Sequence, residues 1–87
     1  MDETTATDLI TKLCTDRDIC EVEDILSEHF NNVRFVDEKI DDLIPSEDED
    51  SEDDYLMMRS YDVDNFYVRF YYPRTTCDIT DIEVSLN

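Results

Sequence analysis

The sequence predicts an α+β fold, in which two N-terminal helices pack on one face of an antiparallel sheet of three or four strands. The first observation is that apolar residues recur at helical spacing between residues 5 and 30. The second is that the period changes to two from residue 33 onward. The third is the length of 87 residues, which suits a single domain with a thin, two-layer core.

The first helix is predicted over residues 5–16. Its start is indicated by Thr5 and Asp8, which resemble a capping box. Polar residues fill the positions between the apolar ones, so we expect one face to be buried. The predicted apolar stripe consists of Ala6, Leu9, Ile10, Leu13 and Cys14.

The second helix is predicted over residues 19–30, because Asp18 and Glu21 form a second start signal ahead of another apolar stripe. The chain contains no glycine. We therefore expect Asn31 and Asn32 to end this helix in the left-handed conformation that glycine usually adopts.

Three or four strands follow. Residues 33–37 predict a short first strand, and Ile40, Leu43 and Ile44 are expected to anchor an irregular return to the core. Residues 46–54 contain seven acids in nine positions and no apolar side chain, which is typical of a solvated loop.

The hairpin gives the clearest strand signal. Strands are predicted over 55–61 and 66–72, joined by a turn at 62–65, and a last strand over 79–86. In the second hairpin strand the side chains alternate between two faces. One face carries Phe66, Val68, Phe70 and Tyr72, and the other carries Tyr67, Arg69 and Tyr71.

Negative charge dominates the composition. The 25 acidic and 7 basic residues give a net charge of −18. Residues 1–32 hold nine acids and two bases, and residues 46–54 hold seven acids and no base. Self-repulsion at this density destabilises a compact chain. The acidity is concentrated in the helical region and the loop, which suggests that it serves a purpose there.

Recognisable enzyme motifs are missing. Without glycine there is no glycine-rich phosphate loop and no G-x-S-x-G turn, and His29 is the single histidine. A thiol nucleophile would need Cys14 or Cys77 beside His29. We expect Cys14, on the apolar stripe of the first helix, and Cys20, beside that of the second, to act as small hydrophobic side chains instead. The sequence therefore predicts a non-catalytic protein without a cofactor.

A metal site is not expected either. Acids alternate in the loop at Asp48, Asp50, Glu52 and Asp54, but a calcium loop needs a glycine at its sharp bend. Weak, non-specific binding of divalent ions is the most that this segment predicts. The three cysteines lack C-x-x-C spacing and follow no cleavable leader, which favours a reducing cytoplasm, and no apolar run is long enough for a membrane span.

The tyrosine face of the hairpin, with Tyr67, Tyr71, Arg59 and Arg69, resembles a platform on which bases stack. A net charge of −18 would repel nucleic acid, so direct nucleic-acid binding is not expected. This face is expected either to lie under the helices or to bind protein.

The hypothesis for the charge is that an acidic surface imitates a nucleic-acid backbone and binds a basic, nucleic-acid-binding protein. Acids on the outer helix faces are neighbours at about 5 to 6 Å, comparable with the charge spacing of DNA. Those faces carry Asp8, Asp16, Glu21, Glu23, Asp24 and Glu28. The predicted contact residues are Glu47, Asp48, Glu49, Asp50, Glu52, Asp53 and Asp54 in the loop, and Asp16, Asp18, Glu21 and Asp24 in the helices.

Small size, strong acidity, the missing catalytic motifs and the tail at residues 79–87 give the chain a general resemblance to small acidic inhibitors of phages and mobile elements. Anti-CRISPR and anti-restriction DNA mimics belong to this group. The resemblance implies a protein of the bacterial or archaeal cytoplasm that occupies the DNA cleft of a CRISPR effector or another nuclease.

Three alternatives remain at this point. An immunity-type protein would block a basic toxin nuclease at its active site or a neighbouring exosite without copying DNA. A homodimeric adaptor would bury its aromatic hairpin and keep the acids for solubility, so the chain is expected to be a monomer or a homodimer. Adaptation to a high-salt cytoplasm would give the same composition without a specific partner.

Overall fold

The structure, a computed structural model, describes residues 2–45, 47 and 53–86. Within these residues the chain forms two helices followed by a four-stranded antiparallel sheet, which confirms the α+β prediction. The elements are α1 (Glu3–Cys14), a 3₁₀ turn (Ile19–Glu21), α2 (Val22–His29), β1 (Val33–Ile44), β2 (Asp54–Val63), β3 (Phe66–Pro73) and β4 (Asp81–Leu86).

Helix α1 begins two residues earlier than predicted. Asp2 is its N-cap, and its Oδ1 accepts a hydrogen bond of 2.7 Å from the amide of Thr5. The predicted capping box at Thr5 and Asp8 is therefore wrong, because Asp2 already satisfies a free amide of the first turn. The bond lowers the pKa of the Asp2 carboxyl. The helix ends at Cys14, and Asp16 then turns the chain with φ of 63°.

The second predicted helix is divided into the 3₁₀ turn and α2. The start signal at Asp18 is confirmed, since its Oδ1 accepts a 2.9 Å hydrogen bond from the amide of Cys20. The prediction for Asn31 and Asn32 is wrong. Phe30 leaves α2 with extended backbone at φ of −127°, so no left-handed residue is needed at its end.

The sheet is a meander in the order β1-β2-β3-β4. A two-residue turn at Asp64 and Asn65 joins β2 to β3, which is shorter than the predicted turn at 62–65. Asp64 supplies the positive φ of 52° that glycine would otherwise provide. Its Oδ1 accepts from the amide of Asn32 at 2.9 Å, and its own amide donates to the carbonyl of Asn32 at 2.8 Å. This reciprocal pair ties the end of the helical layer to the hairpin turn.

Strand β1 differs most from the prediction of a strand at 33–37. It runs for twelve residues along β2, with register shifts that leave Val36 and Asp41 as bulged residues. Ile40 and Leu43 do not anchor a return to the core; they are 57% and 47% exposed. Bulges absorb the extra residues, so pairing continues beyond the point at which the apolar alternation fails.

The core lies between the helices and one face of the sheet, hereafter the helix-covered face. Its strand residues come from alternate positions of β2 and β3, as the alternation predicted. Both layers contribute side chains that are fully or almost fully buried. The core comprises Ala6, Ile10, Cys14, Ile19, Val22, Leu26, Phe30, Tyr61, Val63, Phe66, Val68, Phe70, Tyr72 and Ile79.

The opposite side of the sheet, hereafter the outer face, carries Tyr67, Arg69 and Tyr71 of β3 opposite Asp62, Ser60 and Met58 of β2. No helix covers it. Ser60 is nevertheless fully buried between its cross-strand neighbours, and its hydroxyl has no hydrogen-bond partner among the described residues.

Candidate functional site

The candidate site is a row of three carboxylates along the second helical segment, hereafter the α2 acidic row: Glu21, Asp24 and Glu28. Their spacing of three and then four residues places them on one side of the helix, over an axial length of about 10 Å. All three are exposed. Val22 and Leu26 are fully buried on the opposite side, so the same packing that forms the core turns the row towards solvent.

The row borders a groove of about 430 Å³ between α1 and α2. The half-buried side chains of Leu13 and Ile25 give this groove an apolar floor. Arg17 and His29 complete its lining. The groove thus combines an apolar floor with a rim that is mainly acidic.

Charge compensation is uneven between the two layers. Among the described residues, the salt bridges join strand residues only: Arg34 with Asp62, Arg59 with Glu38 and Arg69 with Glu83. Arg74 lies 5.3 Å from the ring centroid of Tyr55, which also belongs to the sheet region. Most bases therefore pair with acids or stack on an aromatic ring in the sheet region. Residues 2–32, in contrast, contain nine acids and only two bases, Lys12 and Arg17.

The predicted helical contact residues divide into two groups. Glu21, Asp24 and Asp16 are exposed. Asp18 is half-buried, and its carboxylate caps the 3₁₀ turn. A separate hydrogen bond between the side chains of Asp18 and Cys20 raises the pKa of the Cys20 thiol. Asp18 therefore has a structural task, while the other three point outward.

The predicted loop residues are described only in part. Asp48, Glu49, Asp50 and Glu52 lie outside the described residues, and Glu47 and Asp53 are exposed. Asp54 is the first residue of β2 rather than the end of the loop.

The carboxylate of Asp54 is already engaged. Its Oδ2 accepts 2.7 Å from the hydroxyl of Thr75, and its Oδ1 accepts from the amides of Tyr55 at 2.8 Å and Thr75 at 3.3 Å. These bonds, led by that of the Thr75 hydroxyl, lower the pKa of Asp54. Asp54 thus joins β2 to the turn after β3.

Glu28 was not among the predicted contact residues. It completes the α2 acidic row and lines the same groove as Asp24. The signal that identifies it is its separation of four residues from Asp24, which puts both carboxylates on one helix face.

The tyrosine face is the outer face of the sheet, so the helices do not cover it. Tyr67, Arg69 and Tyr71 are half-buried. The Arg69 guanidinium lies 5.2 Å from the ring centroid of Tyr67 and 3.4 Å from Glu83 Oε2. Its positive charge is therefore balanced within the sheet.

The groups that favour metal or thiol chemistry are dispersed. Over residues 2–45, 47 and 53–86, no three His, Cys, Asp or Glu side chains cluster closely enough to hold a metal ion. Cys14 is buried in the core, and burial raises its pKa to about 11, so this thiol is protonated at neutral pH. Cys20 is exposed and Cys77 is half-buried, and both are free thiols.

Comparisons of the chain with protein-family models, with characterised proteins and with solved structures find no match. Among the described residues, no helix combines the length and apolar character needed to cross a bilayer.

The unpaired acids of the helical layer predict that salt stabilises the fold. Raising NaCl from about 0.02 to 0.5 M should raise the unfolding temperature, because shortening the Debye length screens repulsion among exposed carboxylates. Thermal melts followed by circular dichroism at fixed protein concentration would measure the shift. An unchanged melting temperature would contradict it, and a chain that folds only in molar salt would favour adaptation to a high-salt cytoplasm.

Proposed function

We propose that the protein is a non-catalytic inhibitor that binds the positively charged nucleic-acid cleft of a nuclease complex through its acidic helical layer. CRISPR effectors and restriction enzymes are the target classes to which the proposal extends. The observation that carries it is the segregation of charge. The outward acids of the helices form no salt bridge among the described residues, while most bases are engaged on the sheet.

A folded scaffold makes this surface more than a source of solubility. The α2 acidic row presents three carboxylates over about 10 Å of a helix whose other side is fixed in the core. Duplex DNA carries a phosphate every 3.4 Å or so along each strand. The row approaches this density of fixed negative charge, and Glu23 and Asp16, which are also exposed, add to the charge of the helical layer.

The groove beside the row suits the side chains that line a DNA-binding cleft. Lysine and arginine have apolar stems and charged ends. A stem can pack on Leu13 and Ile25 while its charged end meets Asp24 or Glu28 at the rim. Such contacts would slow dissociation, whereas long-range attraction to the acidic surface would speed association.

The mechanism is occupation. The acidic layer enters the cleft that would hold target DNA, and no covalent bond is made or broken. Neither a cofactor nor a metal is required by this mechanism. Binding is expected to weaken as salt rises, because attraction between exposed charges is screened.

The test reverses two charges of the row. The variant Asp24→Lys/Glu28→Lys is expected to lose at least about tenfold in affinity for the nuclease complex, because attraction is replaced by repulsion at two cleft contacts. Lysine opposes the helix dipole in the first turn of α2 but suits it in the last, so the helix should be retained. Circular dichroism would check the fold.

The matched control is Asp78→Lys/Asp81→Lys, which changes two exposed acids outside the helical layer. Both variants move the net charge from −18 to −14, since each replaces two negative charges with two positive ones. The readout is recovery and inhibition of DNA-handling complexes from nuclease-treated host lysate at about 0.15 M salt. Equal loss in both variants would reduce the effect to overall charge, and undiminished inhibition by the row variant would refute the proposal.

Competition separates DNA mimicry from exosite inhibition by an immunity-type protein. A mimic should be displaced by target DNA in proportion to the affinity of that DNA. An exosite inhibitor should bind the DNA-loaded enzyme as well as the free enzyme, and this result would overturn the mimicry while leaving inhibition intact.

A further inference from the structure

The outer edge of β1 is a long exposed surface that is separate from the acidic surface of the helices. The sheet order places β1 at an edge, and no described strand pairs with its outer side. Eleven of its twelve residues are exposed. A long, exposed edge strand with apolar side chains is a template for another strand. The exposed apolar residues are Phe35, Val36, Ile40, Leu43 and Ile44.

The charges of β1 are mixed, in contrast to those of the helical layer. Arg34 and Lys39 alternate with acids at Asp37 and Asp42, and residues 33–45 contain four acids and two bases in all. An antiparallel pair of identical strands places the start of one strand against the end of the other. A strand with a base near its start and an acid near its end can therefore complement itself.

We propose that β1 pairs with β1 of a second copy of this chain, antiparallel and with Glu38 on the two-fold axis. The result is a homodimer with one continuous eight-stranded sheet. In this register the residue numbers of each facing pair sum to 76. Arg34 then faces Asp42 of the second copy, and Asp37 faces Lys39 of the second copy.

Pleating supports this register independently of charge, because facing residues must lie on the same side of a sheet. Arg34 and Asp42 both lie on the outer face, opposite Asp62 and Leu56 of β2. The two bulges preserve this agreement along the strand.

Two further groups of facing residues meet the same condition, whereas Phe35–Asp41 and Val36–Ile40 each include a bulged residue without a partner in β2. Asp37 and Lys39 lie opposite Ser60 and Met58, also on the outer face. Val33 and Leu43 lie opposite Val63 and Tyr55, on the helix-covered face, so an apolar residue faces an apolar residue.

Neighbouring registers fail one of the two conditions. Moving the axis half a residue towards Lys39 sets Phe35, on the helix-covered face, against Asp42 on the outer face. Moving it a full residue keeps the faces matched but sets Lys39 against itself and Arg34 against Ile44. Charge and pleating together therefore favour the register with Glu38 on the axis.

On the two-fold axis Glu38 faces Glu38 of the second copy, and Arg59 neutralises the negative charge of each. In each copy the Arg59 Nε donates a hydrogen bond to Glu38 Oε2, so the axis holds two positive and two negative charges. Helix α2 contacts β1 within each copy, and at about 0.15 M salt the Debye length of roughly 8 Å limits repulsion between the two helical layers.

Charge-reversal variants test the pairing. Wild-type protein in sedimentation equilibrium at about 0.15 M salt should show twice the monomer mass of 10.3 kDa. Asp37→Lys sets lysine against Lys39 of the second copy, and Lys39→Glu sets glutamate against Asp37. Each variant is expected to weaken dimerisation by roughly 10- to 100-fold, because the two-fold axis repeats every repulsive pair.

Mixing the two variants is the decisive step. In an Asp37→Lys chain paired with a Lys39→Glu chain, both facing pairs again join opposite charges, so the mixture should regain the dimer. The double variant Asp37→Lys/Lys39→Glu should also dimerise with itself. Complementation shows at the same time that both single variants are folded.

Three results would overturn the proposal. Wild-type protein could remain at 10.3 kDa at all concentrations up to about 1 mM. Asp37→Lys, which reduces the net negative charge from −18 to −16, could dimerise as well as the wild type. The mixed variants could fail to associate when the wild type does. None of these readouts involves a nuclease, so they are independent of the proposed inhibition.

Discussion

Replacing Phe70 with alanine is expected to lower the free energy of unfolding by about 3–5 kcal/mol, a large share of the total for a domain of this size. Phe70 is fully buried in β3, opposite Ile82 of β4 on the helix-covered face. Its ring meets that of Tyr61 edge to face, with 5.9 Å between centroids. Truncation would leave a cavity that both layers border. Urea denaturation followed by circular dichroism would measure the loss.

Phe35→Ala is the matched control. Its ring also meets Tyr61 edge to face, at 5.8 Å, but Phe35 is 50% exposed on the edge strand. The same truncation there should cost only about 1 kcal/mol, because less apolar surface leaves water and no closed cavity forms. Both variants should be compared at one low protein concentration, since Phe35 lies in β1. Equal losses would contradict the assignment of the core.

Alkaline pH is expected to unfold the protein well before its salt bridges lose their charge. Burial raises the pKa of Tyr72 to about 12 from an ordinary value of 10.0, and burial also raises those of Tyr61 and Tyr71. Each group binds its proton more tightly when folded than when unfolded, so its stabilising contribution is complete below the unfolded pKa. For Tyr72 it is lost as pH rises from about 10 to 12, and for Cys14 from about 9 to 11.

Tyr72→Phe isolates one part of this dependence. The variant keeps the ring in the core but has no proton to lose, so its stability should fall less than that of the wild type between pH 10 and 12. Chemical denaturation at a series of pH values would compare the two slopes. They should coincide between pH 7 and 9, and a coincidence that persists above pH 10 would contradict the raised pKa of Tyr72.

Much of the core was predictable because it depends on periodicity, whereas the order of the strands in the sheet was not predicted. Alternation in residues 66–72 separated the two faces of β3 correctly but left open which of them the helices cover, and the apolar stripe of residues 6–14 identified the buried face of α1. The helix start at Asp2 was missed because Thr5 and Asp8 matched a capping box of similar form. Local motifs at helix ends compete with one another, and only the folded backbone selects among them.

Strand β1 was underestimated for a different reason. Its distal half contains Asp41 and Asp42, which have low strand propensity, and its bulges interrupt the alternation from which a strand is inferred. Pairing with β2 overrides both effects. Hydrogen bonding between strands depends on residues that are distant in sequence. The pattern within residues 38–44 alone therefore does not indicate that this segment pairs with β2.

The candidate site was partly predictable. Net charge and the exposed positions of Glu21 and Asp24 follow from composition and helical spacing. The engagement of Asp18 and Asp54 in capping and cross-strand contacts does not, because each depends on partners fixed by the fold. The placement of bases beside strand acids likewise arises only when the register of the sheet is set.

The meander has a consequence for how the chain folds during synthesis. Each ladder joins strands that are consecutive in sequence, so pairing can proceed one strand at a time as the polypeptide emerges from the ribosome. Helix α1, by contrast, packs against β4, the last strand to be made. The first helix can therefore complete its packing only after the final strand has been made. Until then, the apolar side chains of α1 that pack against β4 are exposed to water and accessible to chaperones.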